Sequence, residues 1–214
     1  MRTMPIPTFL SALALSALLA GCAGSPPARY YTLQAPAQAT PDAHSAGYQI
    51  EVATVSVPQQ ADQPQIMLRV DGGALTPLYS DRWSAPLSDE IGAALSDTLT
   101  RTLGAIDVQT LRPAEGAPVW RIQVDVQRFD MIAGGPARLD ATWRVRPIKV
   151  PGGVARVCRT IVQVPADDGT GVPALVRAQQ QAVELLGTTI ASAIQAGGAR
   201  ATAANAQVQL RDCT

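Results

Sequence analysis

Cysteine is the residue type with the clearest chemical role in this sequence, because an apolar run near the start of the chain ends in Leu-Ala-Gly-Cys, at Cys22. Arg2 precedes an apolar core at about residues 9–19, which is typical of a secretory signal and is too short to span a bilayer. A cysteine in this lipobox pattern is an acceptor of acyl chains. We therefore predict that residues 1–21 are a signal peptide and that Cys22 is lipidated. The alternative is an ordinary cleaved signal that ends near a cysteine by chance.

Acyl chains on Cys22 would hold the mature chain at a membrane, since each buried CH₂ group stabilises membrane binding by about 0.8 kcal/mol. The residue that follows is Ala23. In enteric-type bacteria an aspartate at that position tends to retain lipidated proteins in the inner membrane. Its absence favours the outer membrane, with the folded body facing the periplasm.

Two further cysteines, Cys158 and Cys213, complete the set of three. An even pair in an oxidising compartment is typical of a disulfide, so we predict a Cys158–Cys213 bond; two free thiols are the alternative. Closing a loop of about 55 residues would stabilise the fold by roughly 4 kcal/mol in the chain-entropy description. The two cysteines do not form a CxxC motif, which argues against a thioredoxin-like role.

The sequence lacks the residue combinations that common catalytic sites require. His44 is the only histidine, which excludes histidine-based triads and multi-histidine metal sites. The chain contains no GxSxG, HExxH, P-loop or GxGxxG motif. Asp167-Asp168 lies in a glycine-flanked loop and is either a weak cation site or a solvated turn. We predict a protein that is not an enzyme and that uses no cofactor or metal.

Composition indicates one folded domain with no affinity for nucleic acid. Lys+Arg and Asp+Glu both total 17, whereas nucleic-acid binding needs a basic excess. Hydrophobic residues make up 47% of the chain, enough for a sizeable core. We expect a flexible lipidated tether at 22–47, interrupted by a short docking strand at 29–33. The folded domain then spans 48–197, and a C-terminal extension covers 198–214.

Two long amphipathic helices must position the surface residues. Leu87, Ile91, Leu95 and Leu99 recur every four residues, and Gly104 is placed to end the helix, which predicts a helix over 86–103. A second helix is predicted from Pro173 to about residue 196. Its buried stripe consists of Val176, Val183, Leu186, Ile190 and Ile194.

Alternating apolar and polar residues predict strands at 50–57, 65–70, 75–79, 106–111, 119–129, 138–146 and 154–164. Short Gly/Pro turns join the last three strands, which favours an antiparallel meander. The predicted fold class is α+β, with a mixed, largely antiparallel sheet and both helices packed on one of its faces.

Some charged and aromatic residues permit two interpretations. Trp83 beside Arg82 is either a hot spot of a protein interface or a cap on the core at the helix entrance. The charged strand face Arg138, Asp140, Arg144 and Arg146 is either a docking surface for anionic lipid or protein, or an ordinary solvated face.

Several segments in a fixed order carry a family resemblance. They are the lipobox; Arg29-Tyr30-Tyr31-Thr32-Leu33; the strand 50–57 with Pro58; residues 64–69; Arg82-Trp83-Ser84-Ala85-Pro86-Leu87; residues 124–129; and Ala141-Thr142-Trp143. Together they resemble the ABC-type transport auxiliary lipoproteins of the PqiC (YmbA) type, from Cys22 to about residue 196. The Tyr-Tyr-x-Leu and Arg-Trp-x-x-Pro-Leu pieces are the most specific. The tail beyond Gly197 and the pair Gln59-Gln60 depart from the usual pattern.

The resemblance implies an outer-membrane accessory subunit that works with an MCE-domain protein and an inner-membrane transport partner to move lipid across the periplasm. Partnership with ring-forming conduits is compatible with a homo-oligomeric ring. We take Tyr30, Tyr31, Arg82 and Trp83 as candidates for partner docking. The alternative function is a stand-alone lipid- or ligand-binding periplasmic lipoprotein, which needs an enclosed apolar pocket between sheet and helices.

Replacing Cys22 with serine tests the anchor. We expect the wild-type protein in the membrane fraction with acyl chains on residue 22, and the Cys22→Ser variant without acyl chains there, because the variant lacks the acceptor thiol. Cell fractionation with mass spectrometry of the N-terminal peptide measures both outcomes. Wild-type protein found soluble in the cytoplasm would contradict the anchor.

Overall fold

The structure is a computed structural model that describes residues 26–36, 46–111, 113–166 and 171–214. The statements below concern these ranges. Cys22, His44 and the Asp167-Asp168 pair lie outside the described residues, so the predictions made for them stay predictions.

Eight strands and two long helices make up the described chain. The strands are β1 (Arg29–Tyr31), β2 (Gln49–Val52), β3 (Gln65–Arg69), β4 (Leu75–Trp83), β5 (Val119–Ile132), β6 (Ala137–Ile148), β7 (Arg156–Val164) and β8 (Val208–Arg211). The helices are α1 (Leu87–Leu103) and α2 (Val172–Gln195), and a short 3₁₀ helix covers Asp71–Gly73. Both long helices confirm the sequence prediction to within about one residue at each end.

All of the strands belong to one sheet, in the order β1-β4-β3-β5-β6-β7-β8, with β2 also paired to β5. The pairings β3–β4 and β5 through β8 are antiparallel, whereas β1–β4, β2–β5 and β3–β5 are parallel. This confirms the predicted mixed, largely antiparallel α+β fold and the meander of β5, β6 and β7. The sheet also takes in β1 and β8, which lie outside the predicted domain limits of 48–197.

A bulge in β5 lets a strand of 14 residues bury apolar side chains along its whole length. The pairing with β6 shifts register between Val126 and Arg128, so Gln127 is an extra residue. Before the bulge, buried side chains occupy even positions such as Val124 and Val126; after it, they occupy odd positions such as Met131. One inserted residue reverses the alternation because side chains of a strand change face at every step.

The core lies between the helices and one face of the sheet. Trp120 and Trp143 are fully buried there, and the Trp143 indole N–H donates a hydrogen bond of 2.8 Å to the Thr160 hydroxyl. The two helices pack closely at Gly187, where a Cβ atom would lie 2.8 Å from the Thr98 side chain. A larger residue at position 187 would therefore force α1 and α2 apart.

Three strand predictions need correction. Residues 106–111 do not form a strand, because only Asp107 pairs with the sheet, through an isolated bridge to Ile50. The Asp107 carboxylate accepts hydrogen bonds from the backbone N–H groups of Val52 and Gln109. The strand predicted at 50–57 ends at Val52, with one more bridge at Ser56. Strand β4, by contrast, is longer than predicted, since it continues beyond Tyr79 to Trp83.

The Cys158–Cys213 disulfide is present and links β7 to the chain that follows β8. Cys158 is buried in the core, while Cys213 is exposed. The backbone of Thr214 pairs in both directions with that of Val157, at 2.9 Å each. The bond and this pairing together hold the C-terminal segment against the meander.

Removing the cross-link should destabilise the fold by up to about 4 kcal/mol, because the bond closes a separation of 55 residues. Cys213→Ser is the suitable variant, since it leaves the buried Cys158 side chain in place. Urea unfolding measures the change, and wild-type protein in reducing buffer is the control that should match the variant. Equal stability of the oxidised wild type and the variant would contradict this prediction.

Candidate functional site

The segment at residues 29–33 is attached to the body through a buried carboxylate, that of Asp81. Strand β1 pairs in parallel with β4, which places Arg29 opposite Asp81 and Tyr31 opposite Trp83. Asp81 is only 5% exposed. Its carboxylate accepts a hydrogen bond of 3.0 Å from Arg29 Nη2 and one of 2.9 Å from the Tyr31 hydroxyl. A buried charge with two donors of this kind is well compensated.

The carboxylate of Asp81 favours the protonated forms of its two donors, Arg29 and Tyr31. The hydrogen bond and the charge of Asp81 raise the pKa of the Arg29 guanidinium. Burial, and then the hydrogen bond to Asp81, raises the pKa of the Tyr31 hydroxyl above its ordinary value of 10.0. Both groups therefore remain donors to Asp81 throughout the neutral range.

A second buried carboxylate, Glu90, holds the end of the same segment. It lies in the first turn of α1, where the helix dipole favours a negative charge, and is 4% exposed. It accepts hydrogen bonds from the Thr32 hydroxyl at 2.7 Å and from the backbone N–H of Leu33 at 2.8 Å. The Ser84 hydroxyl donates to its other oxygen. These bonds fix the point at which Leu33 enters the core.

Helix α2 supplies a third attachment for the segment. The side-chain amide of Gln180 donates to the backbone oxygen of Thr32 at 2.9 Å. The backbone N–H of Ser84 donates to the Tyr31 oxygen at 2.8 Å. Strand β4, helix α1 and helix α2 thus meet at residues 29–33, so this part of the predicted tether is a fixed part of the body.

The four predicted docking residues are divided between the core and the surface. Trp83 is 4% exposed and contacts Phe129 edge-on, with ring centroids 6.0 Å apart, which is the core-capping arrangement. Tyr31 is partly buried against Asp81. Tyr30 is exposed and Arg82 is half-buried, so these two offer surface to another molecule.

Sequence reasoning missed the roles of Asp81 and Glu90, although both lie inside or beside the recognised Arg-Trp-x-x-Pro-Leu piece. Neither acid has a local signature, because Asp81 lies between Ser80 and Arg82 and Glu90 follows Asp89, so both read as ordinary solvated polar residues. The presence of two motifs with complementary groups could have revealed the contact: Arg29 and Tyr31 in one motif are hydrogen-bond donors, and Asp81 beside the other is an acceptor.

An open cleft of about 500 Å³ lies between α1 and the loops at 53–55 and 107–110. Asp89, Asp97 and Asp107 line it, together with hydroxyl and amide groups. Asp107 already accepts bonds from Val52 N–H at 3.3 Å, Gln109 N–H at 3.0 Å and the Ser96 hydroxyl at 2.6 Å. This open cleft, with its mixed polar and apolar walls, is unlike the enclosed apolar cavity that would hold lipid chains.

Across the described ranges, His, Cys, Asp and Glu residues do not gather into a cluster of three that could bind a metal ion. Neither long helix in those ranges has the length and apolar character needed to cross a bilayer.

The sequence matches a protein family over residues 31–191, more than half of the 214 residues, and the family is described as the ABC-type transport auxiliary lipoprotein component. The chain belongs to this family. No curated protein matches it. The match begins within β1 and ends within α2, so the docked segment at residues 31–33 is part of the family domain.

Solved structures show the same fold. A crystal structure of an uncharacterized protein has a TM-score of 0.62 and 14% identity, covering 78% of this chain and 99% of that one. The protein XCC0632 from Xanthomonas campestris, from the family DUF330, has a TM-score of 0.57 and 18% identity, covering 80% of this chain and 97% of that one. At these identities the likeness supports the fold of this auxiliary lipoprotein and nothing finer.

Removing the Glu90 carboxylate should weaken the attachment of the segment at residues 29–33. We expect Glu90→Ala to lower the free energy of unfolding by about 3 kcal/mol, because the buried Leu33 N–H and the Thr32 hydroxyl lose their acceptor. Glu90→Gln should lose less than half as much, since an amide oxygen still accepts. Urea unfolding gives these values.

Asp89→Ala is the matched control, since Asp89 lies in the same helical turn but is exposed. We expect it to lose less than about 1 kcal/mol, through the helix dipole alone. Equal losses for the two alanine variants would show that the Glu90 carboxylate does not help to hold the segment.

Proposed function

We propose that this protein is an outer-membrane-anchored accessory subunit of an MCE-type ABC lipid transport system, which positions partner proteins and catalyses no reaction. The observation that supports it most is the family match, combined with a lipobox cysteine seven residues before the first strand. An accessory role also agrees with the buried carboxylates, since Asp81 and Glu90 are both used to hold the chain together.

The attachment of residues 29–33 shortens the spacer between the proposed anchor and the body. The spacer is residues 23–28 rather than the whole tether of 23–47, because the chain joins the sheet at Arg29. A short spacer keeps the domain near the membrane, in a restricted set of orientations. A subunit that must present one surface to a partner spanning the periplasm benefits from this restriction.

The exposed face of the meander is the surface that we assign to the protein partner. Both helices pack on the other face, so the strands here are open to solvent. Arg121 is paired with Glu51 at 2.8 Å and Arg159 with Asp140 at 2.7 Å.

Arg144 and Arg146 are exposed on the same face and make no ion pair with the described residues. They give the face a positive excess, which favours an acidic surface on the MCE-domain protein. A homo-oligomeric ring stays a prediction.

Photo-crosslinking in native membranes tests the partner. With p-benzoylphenylalanine at position 144, we expect a covalent adduct with an MCE-domain protein, identified by mass spectrometry. The matched control is position 177, because Arg177 is also exposed but lies on α2, on the helix side of the sheet. It should give no such adduct.

Adducts with unrelated proteins alone, or none at all, would contradict the assignment to an MCE-type system. Phospholipid retained by the purified chain in native mass spectrometry would favour the stand-alone lipid-binding function instead.

A further inference from the structure

Two tyrosines lie exposed where the sheet ends at β1. Tyr30 is 65% exposed and Tyr79 is 73% exposed. The β1–β4 register places Tyr30 beside Arg82, and Arg82 Nε donates to the backbone oxygen of Tyr79 at 3.4 Å. We call these three residues the tyrosine edge. None of the three side chains makes an ion pair or a side-chain hydrogen bond to another side chain within the described residues.

An irregularity in β4 presents this edge to solvent. The pairing with β3 passes from Gln65–Arg82 directly to Ile66–Leu78, so residues 79–81 have no partner in β3. A bulge of this kind redirects side chains. Here Asp81 turns inward to its two donors, while Tyr79 stays outside. Two large aromatic side chains thus remain exposed to water at this edge.

The proposed anchor at Cys22 limits how far the tyrosine edge can lie from a membrane. Cys22 and Arg29 are seven positions apart in the chain, and a fully extended chain spans at most about 25 Å over that separation. A domain of this size is about 40 Å across. Strand β8 lies six strand spacings from β1, so the two edges of the sheet are about 29 Å apart. The anchor therefore limits the distance between the β1 edge and the bilayer more tightly than that of any other part of the sheet.

We infer that Tyr30, Tyr79 and Arg82 form a contact surface for the phospholipid headgroup layer of the membrane that holds the Cys22 anchor. The inference rests on the proposed anchor. Tyrosine is favoured at the boundary between headgroups and acyl chains, because its ring is apolar and its hydroxyl is polar. The Arg82 guanidinium provides charge-assisted hydrogen bonds for anionic phosphate groups. Weak contacts between these three residues and the headgroups suffice, since the anchor already holds the domain at the membrane and raises the effective concentration of lipid near them.

Photo-crosslinking of the full acylated protein in vesicles tests the surface. The vesicles contain equal parts of phosphatidylethanolamine and phosphatidylglycerol, and p-benzoylphenylalanine replaces Tyr30 or Tyr79 in separate preparations. We expect phospholipid adducts at both positions, detected by mass spectrometry. The control is position 154, because Val154 is also exposed but lies between β6 and β7, away from β1. It should give no lipid adduct.

Charge is tested in the same vesicles. With the photo-probe at position 79, Arg82→Gln should lower the ratio of phosphatidylglycerol to phosphatidylethanolamine adducts by about fivefold, the effect of one basic residue near an anionic surface. Arg211→Gln is the matched control, since Arg211 is exposed on β8 at the opposite edge of the sheet, and it should leave the ratio unchanged.

The outcomes separate this inference from the function on which it rests. Acylated protein that stays with the vesicles but gives no lipid adducts at positions 30 and 79 overturns the membrane surface alone. Adducts to a second copy of the chain, in place of lipid, overturn it as well and make the edge an oligomer contact. A chain that carries no acyl group on Cys22 and washes off native membranes overturns the proposed anchor instead.

Discussion

The attachment of the N-terminal segment depends on two carboxylates that have been removed from water. Asp81 and Glu90 each lie almost fully buried, and each is compensated by donors that come from residues 29–33. The dependence is mutual, because the acids would be costly to bury without those donors and the segment would be held only weakly without the acids. The acids flank the Arg-Trp-x-x-Pro-Leu piece, and their donors lie in or next to the Tyr-Tyr-x-Leu piece, so the two most specific pieces of the family resemblance meet at this set of contacts.

The long strand β5 organises the rest of the body. One of its edges pairs with β6 over nearly its whole length, while its other edge is shared between β2 near the start and β3 near the end. The bulge at Gln127 allows both halves to bury apolar side chains beneath the helices. Because the helices occupy one face, the opposite face keeps its charged residues in water, and the sheet has two chemically distinct sides.

The sequence predicted those features that depend on local periodicity. The stripe of Leu87, Ile91, Leu95 and Leu99 led to the right helix, and the alternation around Trp143 led to the right strand. It did not reveal that β1 pairs with β4, nor that Asp81 and Glu90 accept from residues about 50 positions away, because such partners leave no trace in a local pattern. Residues 106–111 were misassigned because the Asp107 side chain competes for the backbone donors that a strand would use. The sequence alone could not decide between the two interpretations of Trp83, which its burial and its contact with Phe129 distinguish.

The separation in sequence between the acids and their donors also affects when the fold can form. Arg29 and Tyr31 meet Asp81 across 52 and 50 positions, and Thr32 meets Glu90 across 58. Contacts between such distant positions form slowly, because a long loop must close first. During synthesis, residues 29–33 emerge well before the acids that bind them. The attachment of this segment must therefore wait until the chain as far as Glu90 is available.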